Sequence, residues 1–458
     1  MHYIRLLRPA SVDKSKPKAP TLSLKIAITT DLGDTFLNPK QPVKLRFRPR
    51  RIGTVTPENR VQRPKPNEGP FWTLPDMRVF PMEPVDGPAI WKKGTRVLKV
   101  ELPWQWDLSE GRVNLDIECP FHGKNEVSAA NLQLVLPWQR EGILEDNHNM
   151  GLIAPLTLEL NDGQCSDFAV RDFFNYTSED IFPNMHLYLE EDIGESIARH
   201  IWDAGLVTAA LLVDGARFSG SESRAERLEP IIPITKPNIN FLELGSGVGI
   251  LGITLSMVAL GAAKVQGVNL EHATVLLTDL PEAEERARAN INRRQDSLHN
   301  LGPGNEKSEV LYENLDWNDG SEGKFGPIVS SRFWDYVVLS DCTYNVDSFP
   351  VLVKTLSAIH AHNEAHASSN DGTAAKLTTR VVLSTKPRHD SEKALFGMLD
   401  EAGWDYSLFE SIKLPRMGAE GEQVEIYAIE KGPEIESRKR KANEELIAGR
   451  DKVAKIGP

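Results

Sequence analysis

A parallel, doubly wound α/β sheet closed by an antiparallel hairpin, with a smaller mostly-β region ahead of it, is the fold class this chain predicts. Three observations carry that prediction. From residue 180 onward, strand-length apolar runs alternate with helical stretches, which requires parallel strands joined by crossover helices. The last two runs, DYSLFESIKL and QVEIYAIE, follow one another without a helix and read as a hairpin on the edge of that sheet. Before residue 165 the pattern differs: short alternating runs are broken by Pro, Gly or Asn-Asp-Gly, and no helical period appears. At 458 residues there is room for two or three domains. They are expected as a β-rich accessory region at 1–165, an α/β domain at 180–431 and a basic-acidic tail at 432–458.

Taken in order, VLKVELPWQW, RVNLDIECPF, NLQLVLPW and APLTLEL each supply a strand to the first region. Between Lys40 and Lys65 stand nine bases and a single acid, Glu58. There Lys44, Arg46 and Arg48 alternate with Leu45 and Phe47 on one strand. One reading is an edge strand kept from aggregating by its charge; the other is a docking patch for an acidic partner or RNA. The stretch EDIGESIARHIWDAGLVTAALLVD then predicts a helix, with Ile193, Ile197, Ile201 and Leu206 on one face. Strand INFLEL leads into a glycine loop and an apolar helix, Ile250 to Leu260. VLLTDL, the charged helix PEAEERARANINRR, SEVLYENLDW and WDYVVLS follow. A helix from Asp347 to Ala361, TTRVVLST and a helix from Ser391 to Ala402 complete the alternation. Three polar stretches, Ala216–Pro230, Asp296–Lys307 and His362–Lys376, read as surface insertions. His360, His362 and His366 border the last, and a surface loop accounts for them better than a metal tract does.

Composition narrows the field of functions. Sixty-five acids against 53 bases leave a formal charge of −12, which argues against a surface that grips nucleic acid or anionic lipid throughout. Three scattered cysteines, Cys119, Cys165 and Cys342, make no disulfide framework, so a reducing, cytoplasmic or nuclear location is expected. Cys119 and His122 have no second ligand pair, and no metal site is expected. The N-terminus has no apolar core of signal-peptide length. The uncharged run Leu244–Ala263 opens with Gly-Ser-Gly-Val-Gly, a loop rather than a membrane span. Arg438-Lys439-Arg440-Lys441 is a candidate nuclear address.

Three sites carry chemistry. Glu243-Leu-Gly245-Ser-Gly247-Val-Gly249 follows a strand and precedes a helix, where glycines let a ligand approach backbone N–H groups. Gly247-Val-Gly249-Ile-Leu-Gly252 fits the dinucleotide fingerprint only in a frame starting two residues late. An acid two residues before Gly245 would repel a pyrophosphate and suits a cofactor with cationic groups, such as the amino group and sulfonium of S-adenosylmethionine. Asp279, ending VLLTDL, can accept both ribose hydroxyls or cap the helix that begins at Pro281. Ser340-Asp341-Cys342-Thr343-Tyr344-Asn345 follows WDYVVLS at the carboxyl edge of the sheet, and a turn there could aim Asp341 and Tyr344 into one cleft.

In order, Trp202-Asp-Ala-Gly, Glu243-x-Gly245-x-Gly247-x-Gly249, Thr278-Asp279, Leu315-Asp316-Trp317 and Asp341-x-x-Tyr344 resemble the seven-β-strand lysine methyltransferases of methyltransferase family 16. Within that family they are similar to the methyltransferase-like 21 and 22 group, and MHLYLEEDIGESIARHIWDAGLV is most similar to the methyltransferase-like 22 branch. The resemblance covers about Asp180 to Lys431 and leaves the first 165 residues without a role. It implies a Rossmann-like methyltransferase sheet and S-adenosylmethionine as cofactor. By it, Glu243, Gly245, Gly247 and Gly249 hold the methionine end, Asp279 the ribose, and Trp317 lies against the adenine. Trp202 closes the pocket, and Asp341 and Tyr344 face the acceptor lysine of a protein substrate. The insertion before Asp279 and the presence of Cys342, where relatives often carry an aliphatic residue, are departures. Cys342 reads as a small apolar filler.

The chemistry so implied is in-line attack by a neutral lysine amine on a sulfonium-bound methyl group. Free lysine is mostly protonated near neutral pH, with a pKa of about 10.4. Asp341 would bind the ammonium, desolvation beside a sulfonium would favour the neutral amine, and Tyr344 would orient the nitrogen. Two other functions stay open. One is an RNA methyltransferase gripping through Lys40–Lys65, against which the absence of an Asn/Asp-Pro-Pro-Tyr run counts. The other is a cofactor-binding scaffold without turnover.

Overall fold

The computed structural model describes residues 1–13, 20–54, 73–74, 77–81, 89–103, 112–119, 130–140, 152–161, 164–175, 185–194, 198–216, 231–298, 307–370, 378–415 and 422–432. All but the first residue of the 432–458 tail, most of Ala216–Pro230 and of Asp296–Lys307, and the second half of the Lys40–Lys65 stretch lie outside them.

The α/β part is built on seven strands: β1 (Asn238–Leu244), β2 (His272–Asp279), β3 (Ser308–Asn314), β4 (Tyr336–Ser340), β5 (Thr379–Thr385), β6 (Asp405–Lys413) and β7 (Gln423–Lys431). Their order across the sheet is β3-β2-β1-β4-β5-β7-β6. The first five are parallel, and β7 runs antiparallel to both β5 and β6. The expected terminal hairpin is therefore present, with β7 inserted between β5 and the edge. The order reverses direction at β1, between β2 and β4. In an open α/β sheet that reversal leaves a crevice at the strands' carboxyl ends, where ligands bind.

The helices are α1 (Asp203–Gly215), α2 (Ile250–Val265), α3 (Pro281–Leu298), α4 (Trp317–Ser321), α5 (Phe349–Asn370) and α6 (Ala394–Glu401). Leu352, Leu356, Ile359, Leu395 and Leu399 from α5 and α6 pack on one sheet face with Trp334 and Trp404. On the other face α1 and α2 pack against Phe241, Val275 and Val338. That second core does not stop at the α/β domain. It continues into Tyr3, Leu132, Leu134, Phe173, Leu187 and Leu189 of the first region.

The first region is larger than expected and reaches further along the chain. Its sheet has thirteen strands among the described residues. The hairpin of Phe168–Asn175 and Met185–Asp192 belongs to it, pairing along its whole length. The first region's sheet thus takes in a strand, Met185–Asp192, that lies beyond residue 180. Two sequence expectations are corrected. NLQLVLPW is a 3-10 turn, Leu132–Val135, followed by a helical turn, Pro137–Arg140, with Asn131 accepting from Gln133 N–H. Its apolar residues alternate at strand spacing, but a proline and an Asn cap set the backbone. Among the described residues, the helix predicted from Glu191 is confined to α1. Before it, Gly194 takes φ 115, a conformation foreign to a helix, and Arg199 C=O accepts from Asp192 N–H at 3.0 Å to close a loop.

The strand Arg46–Thr54 lies inside the large sheet, between Arg112–Glu118 and Met77–Pro81, and is not an edge. Arg48 pairs with Glu118 at 3.2 Å, and Arg50 with Asp116 at 2.5 Å. These bases meet acids of their own chain across the strands. The histidine-rich stretch also differs from its prediction. Helix α5 continues through it to Asn370, with His360 on Thr379 Oγ1, His362 on the Arg332 carbonyl and His366 on the Ser330 carbonyl. No group of residues able to hold a metal ion occurs among the described residues, and no described helix is long and apolar enough to cross a membrane.

Candidate active site

Strand β1 ends at Leu244, and the chain then turns through Gly245, Gly247 and Gly249 at φ 64, 54 and 84 before α2 begins. Side chains rarely tolerate those angles. At Gly245 a Cβ would come within 2.7 Å of Cys342 Sγ and 3.3 Å of Trp317 Cζ2, and at Gly247 within 3.2 Å of the Ala198 carbonyl oxygen. The loop is held from three directions. Ser246 N–H donates to Thr278 C=O at 3.0 Å, Gly247 N–H to Asp279 Oδ2 at 2.7 Å, and Asn290 Nδ2 of α3 to Val248 C=O at 2.9 Å.

Glu243 is fully buried beneath this loop, not beside it. Its Oε2 accepts from Gly252 N–H at 2.8 Å, tying β1 to the first turn of α2. Burial pushes its carboxyl up to about 8, with Asp279 adding to the rise and the Gly252 bond opposing it. Its Oε1 has no partner among the described residues. Glu243 thus supports the cradle from below through Oε2, while Oε1 is not taken up by the described residues. Gly252 has a packing role, since a Cβ there would sit 2.3 Å from Leu277 and 2.5 Å from Glu243 Oε2.

Asp279 bridges both predicted readings. Oδ2 reaches the glycine loop, while Oδ1 accepts from Leu280 N–H at 2.7 Å just ahead of α3. Burial raises its carboxyl, against the pull of those two N–H groups. Each oxygen keeps a second lone pair for a hydroxyl. Trp317, set by the Asp316 N-cap of α4, borders Gly245. Cys342 is buried behind Gly245, where burial and nearby acids push its thiol well up, as an inert filler requires.

The acceptor-side turn divides its two candidates. Asp341, at φ 53, is the one described non-glycine residue with positive φ, and its side chain points inward. Oδ2 accepts from Ala204 N–H at 2.7 Å, and Oδ1 from Arg388 Nη1 at 3.0 Å and Lys386 N–H at 3.3 Å. Burial pushes its carboxyl up to about 6, Arg388 opposes that, and Asp31 adds to it. Tyr344 points outward and is 50% exposed, stacked on Trp202 with centroids 5.9 Å apart and planes at 17°. The Arg388 guanidinium covers Trp202 from 5.1 Å. Trp202, expected to close the pocket, stands with the acceptor turn, in contact with Tyr344 and Arg388.

The sequence reading missed Lys386, Arg388, Asp203 and Asp31. Lys386 Nζ donates to Asp31 Oδ1 at 2.7 Å and Asp203 Oδ2 at 2.8 Å, with Glu422 at 3.4 Å. Burial works against this ammonium, yet the carboxylates outweigh it and hold it charged. Lys386-Pro-Arg388 directly follows β5 at the carboxyl edge, which is a usable signal. Asp31 gives none, being 357 positions from Arg388.

A glycine cradle of this kind, at the reversal point of a sheet in this order, is that of a Rossmann-like methyltransferase fold, with S-adenosylmethionine as its cofactor; residues 181–402 carry the family match. The same residues match the family model described as lysine methyltransferase. The chain is 30% identical over 223 residues to a UPF0665 family protein of Schizosaccharomyces pombe, covering 48% of this chain and 52% of that protein. It thus spans about half the length of that curated relative. It is 22% identical over 250 residues to the protein N-terminal and lysine N-methyltransferase EFM7 of Cryptococcus neoformans var. neoformans, covering 51% of this chain and 72% of the relative. Among solved structures, TYW2 of P. horikoshii in complex with MeSAdo overlaps 68% of this chain and 87% of its own at 12% identity. The TM-score of that overlap is 0.29.

Proposed function

We propose that the protein transfers a methyl group from S-adenosylmethionine to a lysine side chain of a protein substrate. The observation that carries this reading is the exposed Tyr344–Trp202 stack, backed by Arg388 and Asp341, at the strand end next to the glycine cradle. A lysine presents four methylenes ending in an amine, and two stacked rings form a surface on which such a stem can lie. The cofactor supplies an electrophilic methyl on a sulfonium. Gly245, Gly247, Gly249, Asp279 and Trp317 would hold it, with Glu243 stiffening the cradle.

Tyr344 would orient the incoming nitrogen at the mouth, and the same aromatic surface would strip water from it. That desolvation favours the neutral, nucleophilic amine. Asp341 contributes a fixed negative charge behind the rings, and its bonds to Ala204 N–H and Arg388 hold the turn rigid. Lys386 is no competing acceptor, since three carboxylates keep it protonated and buried. The RNA reading loses support where Arg48 and Arg50 are neutralised within their own sheet.

The test is transfer of tritium from S-adenosylmethionine into a lysate, with hydrolysed protein analysed for methyl-lysine. Protease-sensitive label recovered as methyl-lysine is the expected result. Nuclease-sensitive label would overturn the protein substrate, and binding without label would overturn turnover.

A further inference from the structure

Building on the lysine-transfer reading, we propose that the acceptor site is shared between both halves of the chain, with Asp31 of the β-rich region the positioning residue for Arg388 and, through it, for Asp341 and Trp202. Asp31 stands on the turn after the strand Thr21–Thr29 and is fully buried. Its Oδ2 accepts from Arg388 Nη2 at 2.9 Å and Asp203 N–H at 3.3 Å, and its Oδ1 from Lys386 Nζ and Leu32 N–H. Arg5 Nη2 fixes its carbonyl at 2.7 Å. Arg388 in turn spends Nη1 on Asp341 and lays its plane on Trp202. An unbroken chain of contacts thus runs from Asp31 to the exposed ring of Tyr344.

Charge explains why the link matters. Asp203 and Asp341 confront Lys386 and Arg388, and among the described residues Asp31 is the one carboxylate that engages both cations from the opposite half of the molecule. Replacing Asp31 by asparagine keeps its shape and one acceptor oxygen but removes the charge that holds Arg388 in a forked geometry. Arg388 is then free to collapse fully onto Asp341 or to leave Trp202. A scaffold role alone would cost stability; a positioning role costs turnover at unchanged cofactor affinity.

The experiment uses the full chain as wild type, Asp31→Asn, Arg388→Gln and the double variant, with Asp34→Asn as a control on the same turn. Initial rates of total tritium transfer into lysate are measured beside S-adenosylmethionine affinity by calorimetry. The environment of Trp202 is read by fluorine resonance after 5-fluorotryptophan labelling, assigned with Trp202→Phe. Expected are a rate at least tenfold lower for Asp31→Asn, cofactor affinity within threefold, and a shifted Trp202 resonance. In the Arg388→Gln background Asp31→Asn should lower the rate no further, because both changes cut one link. An Asp31→Asn protein with wild-type rate and resonance overturns the proposal, as does full additivity with Arg388→Gln. Should Asp31→Asn fail to fold, an Arg388→Gln protein with wild-type rate overturns it equally. Label on a non-lysine acceptor overturns only the lysine reading; no label from wild type on any acceptor overturns both.

Discussion

The two ends of the crevice are built by different means. At the cofactor end, backbone does the shaping: three glycines in left-handed conformation, anchored by neighbours from β2 and α3. At the acceptor end, side-chain charge does it: three acids and two bases, mostly buried, drawn from sequence positions 31 to 388. A backbone site is local and tolerates change around it. A buried ion cluster is cooperative, because removing one member leaves another charge uncompensated. The first end should therefore fail only by direct obstruction, the second by any break in its network.

The comparison is sharpened most by Gly245→Val. Its Cβ would press on Cys342 Sγ at a φ that valine rarely adopts, so cofactor affinity should fall at least a hundredfold, measured by calorimetry on protein with a native circular dichroism spectrum. Asp341→Ala comes next. It removes one of the two carboxylates on Arg388 and frees the Ala204 N–H, so methyl transfer should drop about a hundredfold while cofactor affinity stays within threefold; equal losses in both would erase the distinction between the two ends. Tyr344→Ala should raise the half-saturating substrate concentration about tenfold and Tyr344→Phe much less, since the exposed ring is the contact.

Glu243 yields the smallest effect on activity and a distinctive one on stability. Its carboxyl titrates near 8 in the folded protein against 4.5 when exposed. Between those values the folded state holds a proton the unfolded state has lost, so this group makes stability fall as pH rises. The slope is about 1.4 kcal/mol per pH unit across that window and vanishes above it. Glu243→Gln should flatten this part of the profile of melting temperature against pH from 5 to 9, with little change in turnover at pH 7. An unchanged profile would mean the carboxylate is charged in its buried site.

What the sequence disclosed follows the same division. The strand order, the glycine loop, Asp279 and the Asp341–Tyr344 turn are carried by short contiguous runs, and each stands at the predicted strand end. Trp202 and Glu243 were found, but their contacts with Tyr344, Arg388 and Gly252 were not, because residue type and spacing give no side-chain direction. Asp31, Lys386 and Arg388 meet only through packing of two halves far apart in the chain. The helix expected from Glu191 failed at Gly194, where tertiary pairing of Met185–Asp192 with Phe168–Asn175 outweighed a helical period.

Helix α1 is buried from Asp203 to Asp214, without the polar face a surface helix would keep. Its two acids are both claimed from the first region: Asp203 by the Tyr3 hydroxyl at 2.7 Å, Asp214 by Trp138 and Gln139. A helix packed on α2, β5 and β7 of one half and on the Leu132–Val135 turn of the other cannot melt with one and survive with the other. Heating should therefore produce a single calorimetric transition for both halves, and a chain trimmed to the transferase match alone should expose this helix and aggregate.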